Sequence, residues 1–309
     1  MELNEIKEFL RNKPGYLKEG KKRLRDILRK QGFATTLYTC AQALREVNAE
    51  LSVKPSLKKE PKILFYDIET AYGLARVWRP GWKVKVSYRD FVEHPKIICI
   101  SWKWNNSDEV HTVYWDKNKN DKKLLETFIP ELNKADFIVA HNGDKFDLPW
   151  IRARALANNI PMYPRYTAVD TYKVARNTFK FPANRLDDIG DYLGLGRKLN
   201  APYELWTKVI DENCRETLDE MIKYCEQDVF LLEAVYNKLS EFTLPTLHNG
   251  TLNGETKQTS PYTGTTNIEH IKTTTTKAGT KKHTMLCKDT NRYFEMSNTD
   301  YNKFKLINQ

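Results

Sequence analysis

At Lys62 the hydrophobic pattern of this 309-residue chain changes period, and that change constrains the fold more than any other feature. Before it, apolar residues recur at helical spacing in NEIKEFL, KKRLRDILRK and LYTCAQALREV. After it come three short runs rich in β-branched and aromatic residues, KILFYDIE, KIICISWKW and EVHTVYW. A helical stretch KKLLETFIPELNKA and a strand DFIVAH follow, then helices around 148–157, 169–178 and 186–193, and a long amphipathic helix at about 217–239. Strands in quick succession followed by alternation predict an α/β domain over 62–242, with a central mixed sheet flanked by helices.

Residues 1–51 read as a small basic helical domain. Gly32 stands where one helix would stop, and Thr35 or Thr36 can cap the next. The layout from Arg23 to Val47 fits a helix-turn-helix on DNA, and it fits equally a plain bundle with a solvated basic face. Of the net charge of +10, an excess of seven positive charges lies within the first 62 residues. That bias favours a polyanionic partner, with Lys21, Lys22, Arg23 and Arg25 as candidate nucleic-acid contacts. Residues 52–61 (SVKPSLKKEP) read as a linker. Beyond Phe242 the composition shifts to Thr, Asn, Gly and Lys, and the core reads as ended, leaving 243–309 as a tail.

Five scattered cysteines, Cys40, Cys99, Cys214, Cys225 and Cys287, do not form a disulfide framework and point to a reducing, cytoplasmic setting. No apolar run approaches the roughly 18 residues of a membrane helix, and the start MELNEIKEF lacks the apolar segment of a signal peptide. A soluble protein with no membrane partner is expected.

Three acidic elements carry the chemistry. In ILFYDIET, Asp67 and Glu69 end an apolar strand and, two residues apart, share one face. Two carboxylates aimed together repel unless a cation sits between them, though an exposed edge pair has the same spelling. In HNGDKFDLPWI, Asp147 opens a helix with Pro149 in its first turn, where a capping role alone would explain it. In EMIKYCEQDVFLLEAVY, Tyr224 and Asp228 lie one helical turn apart, where they could simply hydrogen-bond each other.

Taken together and in this order, the three elements resemble the DnaQ-like 3′→5′ exonuclease superfamily. The likeness is to its tyrosine-type (DEDDy) branch, shared by stand-alone phage and bacterial members and the proofreading domains of family-B DNA polymerases. Asp67-Ile68-Glu69, the run Asn142 to Asp147 (NGDKFD), and Tyr224-Cys225-Glu226-Gln227-Asp228 carry the resemblance, which covers about 62–240. It implies a ribonuclease H-like fold and two divalent cations, Mg²⁺ or Mn²⁺, held by Asp67, Glu69, Asp147 and Asp228. Asp67 would bridge both ions; Glu69 and Asp228 would complete the site carrying the attacking water, and Asp147 would support the second. Tyr224 would orient that water, since a phenol with pKa near 10 is a poor base at neutral pH. Asn142 would contact nucleic acid. The implied substrate is a nucleic acid with a free 3′ end, DNA favoured, in a bacterial or phage-infected host cytoplasm. An RNA exonuclease of the same chemistry is one alternative, and a non-catalytic nucleic-acid-binding protein another. An integrase on the same fold suits Tyr224 and Asp228 poorly.

Two further segments stand out. Tyr72, Trp78, Trp82 and Tyr88 are interleaved with Arg76, Arg79, Lys83, Lys85 and Arg89, a pattern that suits base stacking. The same tryptophans could instead pack an insertion against the core. In the tail, Ser260, Thr263, Cys287 and Thr290 stand at the four ligand positions of a degenerate zinc ribbon. Three lack the thiolate that zinc requires, so no zinc is expected, although the ribbon's hairpin can persist as a folded remnant. His270, His283 and Cys287 are a weaker improvised alternative.

Overall fold

The computed structural model describes residues 3–307 except 14, 17–18, 53–59, 80, 82, 106 and 200. Most of the linker expected at 52–61 therefore lies outside the described residues, as does Trp82. The chain divides into two compact units, Met1–Lys59 and Glu60–Gln309.

The first unit holds three helices, α1 (Leu3–Asn12), α2 (Lys21–Lys30) and α3 (Leu37–Ser52). Ile6, Leu10, Leu24, Leu28, Cys40, Ala43, Leu44 and Val47 are buried together, the helical spacing of each segment meeting in one core. Gly32 takes φ +87° just past α2, a conformation that costs glycine little. Thr36 caps α3, its hydroxyl accepting the Thr39 amide at 3.1 Å. Six residues join α2 to α3, more than the three or four of a helix-turn-helix.

The second unit is built on β1 (Ile63–Ala71), β2 (Leu74–Ala75), β3 (Phe91–Glu93), β4 (Lys96–Trp104) and β5 (Val110–Tyr114), then α4 (Lys122–Leu132), β6 (Phe137–Ala140), α5 (Asp147–Ala157) and β7 (Ala168–Asp170). Helices α6 (Thr171–Thr178), α7 (Leu186–Tyr192), α8 (Tyr203–Ile210) and α9 (Arg215–Ser240) follow. The sheet order is β5-β4-β1-β6-β7, with β5, β4 and β1 antiparallel and β1, β6 and β7 parallel. This is the mixed, helix-flanked sheet that the sequence predicts. Strand β7 is a correction: residues 169–170, expected inside a helix, pair with Val139 and Ala140 instead. Three residues are too few to show strand periodicity, and Asp170 caps the helix directly behind them.

Alternation along β1 decides which face meets which helix. Leu64, Tyr66 and Ile68 pack on the α4 and α5 side with Leu124, Phe128, Leu148 and Ile151. Phe65 points the other way, onto Val229, Leu232 and Val235 of α9. Asp67 and Glu69 share the side of Phe65, so the two-residue period aims both carboxylates at α9.

The core does not end at Phe242. Segment 249–307 forms α10 (Asn249–Leu252), β8 (Ile268–Thr275), β9 (Lys281–Cys287), β10 (Arg292–Ser297) and α11 (Asn298–Ile307). Met285, Cys287, Phe294, Met296 and Tyr301 make a small core there. Its polar composition hid this because β9 and β10 bury only alternate residues, and the threonines of β8 lie exposed.

Candidate functional site

The three acidic elements converge. Among the described residues, Asp67, Glu69 and Asp228 place carboxylate oxygens within 4.8 Å of one another, a grouping able to hold a metal ion. Asp147 joins them electrostatically, its charge felt by Glu69 and its own pKa raised by burial and then by Asp67.

Local sequence explains how Asp147 arrives. At the end of β6 the chain turns through Asn142 at φ +63°, a conformation asparagine tolerates, and the Asn142 amide donates to Asp170 Oδ1 at 2.9 Å. A Cβ on Gly143 would stand 2.4 Å from the Ala140 Cβ, so this turn can pass the strand end only with glycine. Asp147 is the first residue of α5 rather than its N-cap; Phe146 occupies the cap and contributes no side-chain bond. Its carboxylate is therefore not engaged as the N-cap of α5.

Burial and mutual repulsion shape the electrostatics. Burial, then Asp228, pushes Asp67 up to about 7, and burial, then Asp67, holds Glu69 well above its ordinary value. Asp228 is fully buried and also raised, although Lys198 opposes the shift. Lys198 is the residue that sequence reasoning missed. Its ammonium donates to Asp228 Oδ2 at 2.5 Å and to the Tyr224 hydroxyl at 3.4 Å. Burial opposes its charge, but Asp228 and Asp67 hold it protonated above its ordinary value. Only its place after GLG, between α7 and α8, could have signalled it, and spacing alone does not report that approach. Burial, then Asp228, takes the Tyr224 phenol up to about 12, so it remains a hydrogen-bond donor at neutral pH.

Cys225 stands in the third acidic motif, but its approach to Asp67 is not legible there. Buried under β1, its thiol approaches the Asp67 backbone carbonyl at 3.5 Å and Oδ2 at 3.7 Å. Beside the cluster a groove of about 810 Å³ is lined by Asn142, Lys145, Arg176, Arg185, Lys198 and Tyr224.

A divalent cation fits this donor set. Three carboxylates, those of Asp67, Glu69 and Asp228, face the single ammonium of Lys198, and Asp228 Oδ1 is buried with no hydrogen-bond partner. Oxygen-rich, like-charged sites of this kind suit hard cations such as Mg²⁺ or Mn²⁺.

The remaining predicted positions are on other elements. Lys21, Lys22, Arg23 and Arg25 are on α2 in the first unit; Arg23 pairs with Glu19 at 3.2 Å and Arg25 with Asp26 at 2.9 Å. In the tail, Ser260, Thr263 and Thr290 do converge on Cys287, with Thr263 Oγ1 at 3.8 Å from its sulfur. Burial opposes ionisation, but these hydroxyls together hold the Cys287 thiol below its ordinary value. His283 is turned to Thr273 and Asn298 at 2.9 and 3.0 Å, so it serves the tail's own hydrogen bonds.

A sequence profile of the RNase H superfamily matches residues 64–240, the segment that carries all three acidic elements. The chain belongs to that superfamily, in agreement with the DnaQ-like resemblance of its three acidic elements. Among curated proteins it is 32% identical over 99 residues to a DNA polymerase of Thermococcus litoralis, covering 31% of this chain and 5% of that one. To a DNA polymerase of Methanocaldococcus jannaschii it is 26% identical over 178 residues, covering 50% and 9%. The chain thus spans less than a tenth of either polymerase. Among solved structures it is similar to the family B DNA polymerase of Pyrobaculum calidifontis, with TM-score 0.48, 17% identity, and 62% and 26% of the two chains covered. A 3′-exonuclease recognising a histone mRNA stem-loop gives TM-score 0.36 at 12% identity, covering 75% and 86%.

Proposed function

We propose that this protein is a metal-dependent 3′→5′ exonuclease that hydrolyses phosphodiester bonds at a nucleic-acid 3′ end, with DNA as the favoured substrate. The observation that carries the reading is the meeting of Asp67, Glu69 and Asp228 within one ligand sphere, with Asp147 at its edge. When bound, two divalent cations, Mg²⁺ or Mn²⁺, would activate a water and neutralise charge on the leaving 3′-oxygen. Asp67, Glu69, Asp147 and Asp228 would hold them. Tyr224, protonated, donates a hydrogen bond that orients the attacking water. Lys198 positions Asp228 and Tyr224, keeping the carboxylate pinned and the phenol turned toward the cluster. Asn142, Lys145, Arg176 and Arg185 offer donors and cations along the adjoining groove, which suits a phosphate backbone.

The test is direct. Single-stranded DNA, duplex DNA and RNA, each labelled at the 5′ end, are incubated with Mg²⁺, Mn²⁺ or chelator. A ladder shortening from the 3′ end with metal, and none with chelator, is expected; internal cuts or metal-independent hydrolysis would overturn the reading.

The first unit supports a second contact with the substrate. Lys21 and Lys22 are exposed on α2, whereas α3 shows one basic side chain, Arg45, so the unit is suited to phosphates rather than to base reading. For Lys21→Ala/Lys22→Ala in the full chain, the slope of log K against log salt for duplex DNA is expected to fall by about 1.8, since each lost phosphate contact removes about 0.9. An unchanged slope excludes α2 from binding.

Among the described residues no helix is long and apolar enough to cross a membrane, and all five cysteines are free. The free cysteines support a reducing, cytoplasmic setting, and the bacterial or phage-infected host is proposed on the family resemblance alone.

A further inference from the structure

Between β1 and β4 the chain leaves the sheet as an arm, residues 72–95, that the catalytic reading does not use. The base of this arm is firmly built. Leu74 pairs with Glu93 and Ala75 with Phe91, and the Arg76 amide donates to the Asp90 carbonyl at 2.9 Å. A Cβ on Gly73 would lie 2.4 Å from Phe91 Cε1, so the close packing there depends on glycine. The Ser87 amide and hydroxyl both donate to the Asp90 carboxylate, at 2.7 and 2.8 Å, and close the turn at Tyr88. Tyr88 stacks on His94 with ring centroids 4.7 Å apart.

The rest of the arm is unlike a packed insertion. Trp78 is 105% exposed and Tyr88 78%, with Val77, Val84 and Val86 also exposed. Arg76, Arg79, Lys83, Lys85 and Arg89 alternate with them, all exposed, while the acid among them, Asp90, is committed to Ser87. Burying a large apolar side chain stabilises a protein, so a cluster of them held in water marks a surface with a partner. Interleaving selects which partner. An apolar protein surface would leave five cations desolvated, and a duplex hides its base faces. A single nucleic-acid strand presents both flat rings and phosphates.

We propose that this arm is a single-strand-binding element of the nuclease: Trp78 and Tyr88 stack on unpaired bases while Arg76, Arg79 and Lys85 hold the phosphates between them. The inference rests on the nuclease reading, and the arm is tethered to the chemistry, since Leu74 follows the metal-ligand candidate Glu69 by five residues on the same strand-and-turn. A cleft of about 440 Å³ beside Trp78, bounded by Arg76, Arg79 and Lys85, offers room for a base.

The experiment measures binding of a fluorescent single-stranded oligonucleotide, and of its duplex, to the full chain in chelator, where no hydrolysis competes. For Trp78→Ala the dissociation constant for the single strand is expected to rise about 5- to 150-fold, the range of one lost base stack, with duplex binding unchanged. Trp78→Phe, which keeps a ring, should recover part of the loss. In turnover with metal, KM should rise while kcat at saturation stays the same. Wild-type affinity in Trp78→Ala, or an equal loss on duplex, overturns the proposal. The two readings fail separately: Asp228→Ala should bind the single strand normally and not cut it. Normal cutting by that variant sinks the nuclease assignment without touching the arm.

Discussion

Asp228→Ala is expected to slow phosphodiester hydrolysis by about a thousandfold or more, the loss of several kcal/mol of transition-state stabilisation when a metal site fails. Asp67→Ala should do the same. The size of the effect follows from where Asp228 sits. One oxygen takes the Lys198 ammonium and the other is buried without a partner, so no neighbour can replace the lost carboxylate. The protein should nevertheless remain folded, because truncation removes one of several buried groups that repel each other. Asp228→Asn separates charge from shape: it keeps the volume and should be as inactive as alanine. Rates are read with labelled DNA and folding by thermal melting. A variant at either position that cuts at the wild-type rate would remove these carboxylates from the mechanism, and Asp67→Asn covers the case in which Asp228→Ala misfolds.

Metal should raise the protein's stability and offset its fall with rising pH. In chelator, Asp67 has a folded-state value of about 7 against an ordinary 3.8, and Glu69 and Asp147 are raised in the same direction. Between these values the folded form binds more protons than the unfolded one, so stability is full below about pH 4 and falls as pH rises to about 7. Melting temperature in chelator should therefore drop across that window for this cluster. Divalent metal at a hundred times its dissociation constant adds about 2.7 kcal/mol, or roughly 5–11 °C for a unit of this size, and competes with protons for the carboxylates. With Mg²⁺ or Mn²⁺ present the gain in melting temperature should accordingly grow as pH rises. Melting curves in chelator and in metal at four or five pH values test this. Curves that superimpose at every pH would mean that the cluster binds no ion.

The expected placement of the acids and the observed one agree where the information is local. Asp67 and Glu69 lie on one strand face because strand geometry has a period of two, and Tyr224 and Asp228 on one helical side because they are four apart. Those relations are written in spacing. Lys198 could not be read the same way, since its contact with Asp228 spans 30 residues and depends on the path between α7 and α8. The same holds for Cys225 against Asp67, 158 residues apart. Strand β7 and the tail core were missed for a different reason. Three residues carry too little periodicity, and a strand whose threonines lie exposed looks like solvent-exposed chain. Trp78 shows the opposite case, a residue whose chemistry was legible but whose fully exposed position was not.

By itself, then, the sequence determined the element types, the three acidic motifs and the face on which each acid stands, because those depend on neighbours a few residues away. Tertiary structure alone decided that the three faces meet, that Lys198 enters their midst, and that Trp78 is held out in water. Each of those outcomes depends on side chains brought together across long loops, where packing and desolvation set position and charge, and no local pattern records them.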